Sequence, residues 1–189
     1  MFDLVYPLDP APVVAVKSLP KSAEVLPIVE ESGMVVSRTT RKACHNGSHL
    51  LHPVVHLHII NRYGCIYLQR RSLQKDICPG YWDTAVGGHV SYGEQLEEAL
   101  YREAYEELSL SEFNPLLLGT YVFENELERE LVAVYATIKA EVPEPKNDEV
   151  IEGKFWTIEE IESAIGTDVL TPNFEQEYKR IKNLLLALL

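Results

Sequence analysis

From Val25 the run VLPIV, the turn signal EESG and the run MVVSRTT form two short apolar-rich segments around a glycine, which predicts a β-hairpin. A short helical turn is expected at Arg41-Lys42-Ala43. Further on, His56 and His58 alternate with Val55, Leu57 and Ile59, a period of two that predicts a strand with one polar and one apolar face and no chemistry in its histidines. The period then changes. Behind the turn signals Gly87-Gly88 and Tyr92-Gly93, Glu94 to Leu108 is rich in helix formers and free of Gly and Pro, which predicts a helix of about four turns with Leu96, Ala99 and Leu100 on one face. PLLLGTYVFENE and RELVAVYATIKAEV predict a second hairpin, and IEGKFWT predicts a strand beyond the polar connection PEPKNDEV. Thr157 and Glu160 form a capping-box signature for a short helix to Ile165. Thr171 and Pro172 suit N-cap and N1 of a last helix, which is read as structural because Phe174, Tyr178, Ile181 and Leu185 follow helical spacing.

Strands, a helix, more strands and two C-terminal helices make an α/β fold of the α+β type. Residues 1–22, proline-rich and without lasting period, read as an extended arm, and residues 23–189 as a single domain. The arm packs either on its own domain or on a second copy in a homodimer, and the sequence does not choose between these.

Composition narrows the partners. Seventeen Lys and Arg against 29 Asp and Glu give a net charge of −12, which argues against broad binding to nucleic acid or anionic membranes. A phosphorylated substrate would need a local basic patch. No apolar run approaches a membrane span, and the N-terminus has Asp3 and scattered prolines where a signal peptide would be basic and then apolar, so a cytoplasmic protein is expected. Cys44, Cys65 and Cys78 lack metal-site spacing and read as reduced thiols.

The second half of the long helix changes the picture most. Glu103 and Glu107 continue the face begun by Leu96, Ala99 and Leu100, with Glu106 beside them. Three carboxylates at i, i+3 and i+4 repel one another near a C-terminus whose dipole disfavours negative charge. Arg102 can pair with Glu98 and Glu106, but each exposed pair stabilises by only about 0.3–0.5 kcal/mol. A hard divalent cation such as Mg²⁺, which joins carboxylates to substrate phosphates, offsets the repulsion better.

The segment GHVSYGEQLEEALYREAYEELSL resembles the Nudix box, G-x5-E-x7-R-E-U-x-E-E-x-G-U with U a bulky apolar residue, through Gly88, Glu94, Arg102, Glu103, Glu106, Glu107 and Leu110. Ala104 is small at the first U, and Ser109 replaces the final glycine, which makes the exit from the helix costlier. The resemblance implies a Nudix-like α/β/α sandwich with a mixed sheet. It also implies a hydrolase that cleaves a nucleoside diphosphate derivative or another organic diphosphate. In such an enzyme Glu103, Glu106 and Glu107 hold Mg²⁺, or Mn²⁺ in its place, and activate water, with Gly88, Glu94 and Arg102 supporting the motif.

A second resemblance covers more of the chain. CHNGSHLLHPVVHLHII holds five of the six histidines, and the order of NRYGCIYLQRRSLQKDICPGYWDTAVGGH is similar to that of the isopentenyl diphosphate isomerases, relatives of the Nudix fold. By that resemblance His45, His52, His89 and Glu130 are metal ligands, and Arg71 and Lys75 bind diphosphate. Glu128 is read instead as a solvated hairpin glutamate. The family's catalytic cysteine falls at Gly87, however, and this chain keeps the R-E-U-x-E-E set that the isomerases lack. Hydrolysis is therefore the expected activity, with isomerisation or a non-catalytic ligand-binding module as the alternatives.

Overall fold

The computed structural model of the protein describes residues 3–6, 24–75, 77–142, 145 and 148–189. These form strands β1 (Val25–Val29), β2 (Val35–Thr40), β3 (Leu51–Ile60), β4 (Ile66–Arg71) and β5 (Trp82–Asp83). Strands β6 (Val86–His89), β7 (Leu116–Glu124), β8 (Arg129–Ile138) and β9 (Val150–Trp156) follow. The helices are α1 (Arg41–Cys44), α2 (Leu96–Leu108), α3 (Ile158–Ala164) and α4 (Pro172–Leu186). β1 and β2 make a two-stranded sheet. The other strands form a mixed seven-stranded sheet in the order β5-β4-β3-β8-β7, with β6 paired to β3 and β9 to β4. This is the α+β architecture that the order of patterns predicts.

The chain divides into two compact units, Met1–Val55 with Gly88–Leu100 and Gly119–Ala133, and His56–Gly87 with Tyr101–Leu118 and Val134–Leu189. In the first, β1 pairs antiparallel with β2, from Val25 opposite Thr40 to Ile28 opposite Ser37, and buries Leu26 and Ile28 against Cys44. Gly33 takes a φ of +84° in the connecting turn and donates its N–H to the Glu30 carbonyl at 2.9 Å. Residues 3–6 of the N-terminal arm pack on this unit. Leu4 is buried, Val5 bridges Met34, and the Tyr6 hydroxyl donates to the Glu94 carbonyl (2.8 Å) while accepting from Gly93 N–H (3.0 Å). Residues 7–22 lie outside the described residues.

Two boundaries differ from expectation here. Gly87 and Gly88 lie within β6 and do not open a turn. Helix α2 begins at Leu96 and not at Glu94, because the Glu94 carboxylate accepts the N–H of Ser91 at 2.9 Å and closes the entry turn. The Gln95 N–H, just before the helix, donates to Glu98 Oε2 of the first turn at 2.8 Å.

In the second unit β4 lies antiparallel to β9, Ile66 opposite Trp156 and Arg70 opposite Glu152, with β5 on β4 through Arg70 and Trp82. A Cβ on Gly153 would overlap the Tyr67 ring, so the glycine is what lets the phenol lie across β9. Trp82 and Trp156 meet edge to face at 5.1 Å, and Lys154 Nζ stands 5.4 and 4.5 Å from their ring centres. Helix α3 carries both bonds of the Thr157–Glu160 capping box, and Thr171 Oγ1 accepts the Phe174 N–H to cap α4. Phe174, Tyr178, Ile181 and Leu185 are buried, as their spacing predicts. So is Glu177, which that spacing does not predict.

Candidate active site

In the second unit, the C-terminal part of α2 turns three carboxylates to three environments. Glu106 is exposed, Glu103 half-buried, and Glu107 buried with Ala104 at the helix's inner face. Arg102 Nη1 lies 2.7 Å from Glu103 Oε1 and 3.7 Å from Glu106 Oε2, so one guanidinium spans two of the three. Glu107 Oε2 accepts from the Gln69 side chain at 3.0 Å and from the Gly87 N–H at 3.3 Å. Burial pushes the Glu107 carboxyl up to about 8, and the Glu103 charge adds to the shift, against the two hydrogen bonds and Lys75. A carboxyl that keeps its proton near neutrality because it is buried beside another carboxylate is one that a divalent cation would ionise. The donor set therefore fits a hard metal ion.

The basic strand end is occupied by protein partners. Arg71 donates to Asp83 Oδ2 (3.1 Å) and to the Ile77 carbonyl (3.1 and 3.3 Å), and Lys75 donates to Glu149 Oε2 (2.6 Å). Each of the two cations is shared with a carboxylate.

In the first unit, the histidines that the isomerase resemblance singled out converge. His45, His52 and His89 each offer a ring nitrogen within 4.8 Å of the others, with His45 Nε2 2.9 Å from His89 Nε2 and the His52 and His89 rings stacked 7° from parallel. His52 Nδ1 bonds the Leu50 carbonyl at 2.9 Å, which fixes the tautomer and turns Nε2 into the cluster. That nitrogen is buried with no hydrogen-bond partner, and burial, with His45 adding, lowers the pKa of the ring and keeps it neutral. A neutral imidazole with an orphaned lone pair aimed at two others is suited to a metal ion. Glu130 Oε1 stands 4.0 Å from both His52 Nε2 and His89 Nε2. Elsewhere in this unit, Gly88 is buried in β6 and Glu94 closes the turn before α2.

Glu128 corrects the expectation of a solvated hairpin residue. It is buried, its Oε2 lies 2.5 Å from His45 Nδ1, and Asn125 donates to its other oxygen at 3.2 Å. The signal for it was the spacing Glu-x-Glu, which puts Glu128 and Glu130 on one side of an extended segment. The histidines of β3 share one face of a strand, as their alternation predicts, and that face is buried too. The strand is buried on both faces, and in the second unit His56 Nδ1 and His58 Nε2 lie 2.9 and 2.5 Å from the two oxygens of Glu177. A partner more than a hundred residues away leaves no local pattern to read.

Comparison with known proteins places this geometry in context. An uncharacterized Nudix hydrolase of Nostoc is 40% identical over 98 residues, 51% of this chain and 58% of that protein, so the chain spans a little over half the length of that relative. The isopentenyl-diphosphate Delta-isomerase of Leifsonia xyli is 30% identical over 161 residues, 81% of this chain and 85% of the relative. Among solved structures, DR0079 from Deinococcus radiodurans superposes with a TM-score of 0.73 at 27% identity, covering 83% of this chain and 98% of that one. The model of the NUDIX domain matches residues 50–180, a span that holds the whole of the acidic helix; this chain belongs to the Nudix family.

Proposed function

We propose that the protein is a metal-dependent hydrolase that cleaves the diphosphate linkage of a nucleoside diphosphate derivative or another organic diphosphate. The observation that carries this reading is Glu107, a carboxyl buried beside Glu103 and held by Gln69 and Gly87 in a state that calls for a cation. Glu103, Glu106 and Glu107 would hold Mg²⁺, or Mn²⁺ in its place, and His45, His52, His89, Glu130 and Glu128 a second ion, for which three imidazoles favour a transition metal. When bound, such ions neutralise phosphate charge and lower the pKa of water. Arg71 and Lys75 orient the diphosphate, Arg102 holds Glu103 and Glu106 in place, Glu94 closes the turn before the helix, and Gly88 lies in the preceding strand β6. The three cysteines are free, and no helix among the described residues is long and apolar enough to cross a membrane.

The histidine and glutamate cluster supports a second reading, isomerisation of a prenyl diphosphate, which Gly87 opposes. Incubation with Mg²⁺ or Mn²⁺ and a panel of nucleoside, sugar and prenyl diphosphates, with assay of phosphate release and of double-bond position, separates the two. Hydrolysis is expected, with kcat lowered by about 10²-fold or more in Glu107→Gln. Undiminished hydrolysis in that variant sinks the mechanism, and a shifted double bond without phosphate release establishes the isomerase reading.

A further inference from the structure

The second unit contains a buried ionisable group that neither the carboxylate helix nor the basic strand end uses. Glu177 of α4 is fully buried, and its two oxygens face His56 and His58, which stand at i and i+2 on one side of β3. A carboxylate withdrawn from water costs several kcal/mol unless hydrogen bonds satisfy it. Here the two imidazoles hold it well below the ordinary carboxylate range, against the effect of burial. An ionised carboxylate only accepts, so His56 donates from Nδ1 and His58 from Nε2.

The two histidines then part company. His58 is wholly buried, and its ring lies 3.4 Å from Thr84 Oγ1, whose own proton goes to the Leu57 carbonyl at 3.0 Å. His56 presents its other edge to Gly87. A Cβ built on that exposed glycine would lie 3.5 Å from His56 Cδ2 and 3.6 Å from Nε2, so any side chain at position 87 would cover the ring edge. The N–H of the same Gly87 donates to Glu107. One glycine thus has the acidic helix on its amide and the imidazole edge beside its Cα.

We propose that His56 is a catalytic residue, the general base of the hydrolysis, with Glu177 as its positioning residue and His58 as the group that fixes Glu177. This rests on the hydrolytic reading of the site. A carboxylate bonded to Nδ1 sets the tautomer, aims the ring and stabilises the imidazolium that forms. In the step, the water oxygen forms a bond to phosphorus as its proton passes to His56 Nε2. The bond from phosphorus to the bridging oxygen breaks, and the leaving phosphate takes that electron pair and later a proton from solvent. Retaining three polar groups inside the core has a reason under this assignment, whereas a purely structural site could be filled by apolar side chains at no loss of stability.

The test begins with wild-type turnover of the diphosphate panel in Mg²⁺, followed by His56→Asn, whose amide can still donate to Glu177 but offers no base at the Nε2 position. We expect kcat to fall about 10²–10³-fold with KM and melting temperature close to wild type, Glu177→Gln to fall with it, and added imidazole to restore part of the activity of His56→Ala. Nitrogen-15 NMR of the wild-type rings should show His56 protonated at Nδ1. A His56→Asn enzyme with kcat within about threefold of wild type overturns the base assignment alone, well short of the loss that removing a general base causes. A wild-type His56 protonated only at Nε2 overturns it even if the variants do not fold. Absence of any wild-type hydrolysis removes the hydrolytic reading and the base together.

Discussion

Glu107 ties stability to pH through one side chain and, under the proposed function, to metal as well. Its folded pKa is raised from the ordinary 4.5 to about 8, so between those values the native state binds more proton than the unfolded chain. The stability that this group contributes is complete below about pH 4.5, falls as pH rises and is gone above pH 8, a loss on the order of 3–5 kcal/mol in the metal-free protein. Under the proposed metal-dependent reading a cation would bind the ionised form and reverse the trend. Denaturation of the metal-free protein should therefore show stability falling from pH 5 to pH 8, with Mg²⁺ stabilising more at the higher pH, and Glu107→Gln should flatten both dependences. At this scale the sequence was informative where residues that act together lie close in the chain. Glu103, Glu106 and Glu107 are three and four residues apart, and the spacing of His45 and His52 drew attention because a family shares it. Glu128 went unread because a hairpin glutamate looks solvated until its His45 partner is seen, and Glu177 because its partners are on a distant strand.

The elements were read best where caps and period agree. Thr157 with Glu160 and Thr171 with Pro172 start their helices as expected, since both signatures act within one turn. The entry to α2 departs from its pattern because Glu94, a good helix former by propensity, instead accepts the Ser91 N–H in the turn before it. Its exit was judged correctly. Ser109 follows the last turn with a φ of +54°, a left-handed conformation that glycine adopts at lower cost, while the Ser109 N–H donates to the Tyr105 carbonyl at 2.9 Å. Ser109→Gly should raise stability by about 0.5–1 kcal/mol, read as a higher urea midpoint at unchanged slope, because relief of the strain outweighs the added freedom of the unfolded chain. A lower midpoint would mean that the serine hydroxyl contributes something that the backbone geometry does not show.

For the whole molecule, charge sets how substrate arrives. A protein of net charge −12 would repel the proposed diphosphate substrate at distance, while Arg71 and Lys75, the proposed binding residues, would act only at close range and are each shared with a carboxylate. Raising ionic strength from about 10 mM to about 100 mM shortens the screening length from roughly 30 to 10 Å, so kcat/KM should rise modestly, about twofold, where a basic enzyme would lose rate. A fall over that range would show that the local cations dominate the approach. The paired indoles bear on how such experiments are followed. The chain has two tryptophans, and both belong to the second unit, in contact with each other and under the same ammonium group. Selective tryptophan emission is therefore an optical gauge of that unit alone, blind to the hairpin and the histidine cluster. Unfolding curves recorded by emission and by far-ultraviolet dichroism will coincide only if the protein melts as a single cooperative body, so the two signals together measure its cooperativity without any label.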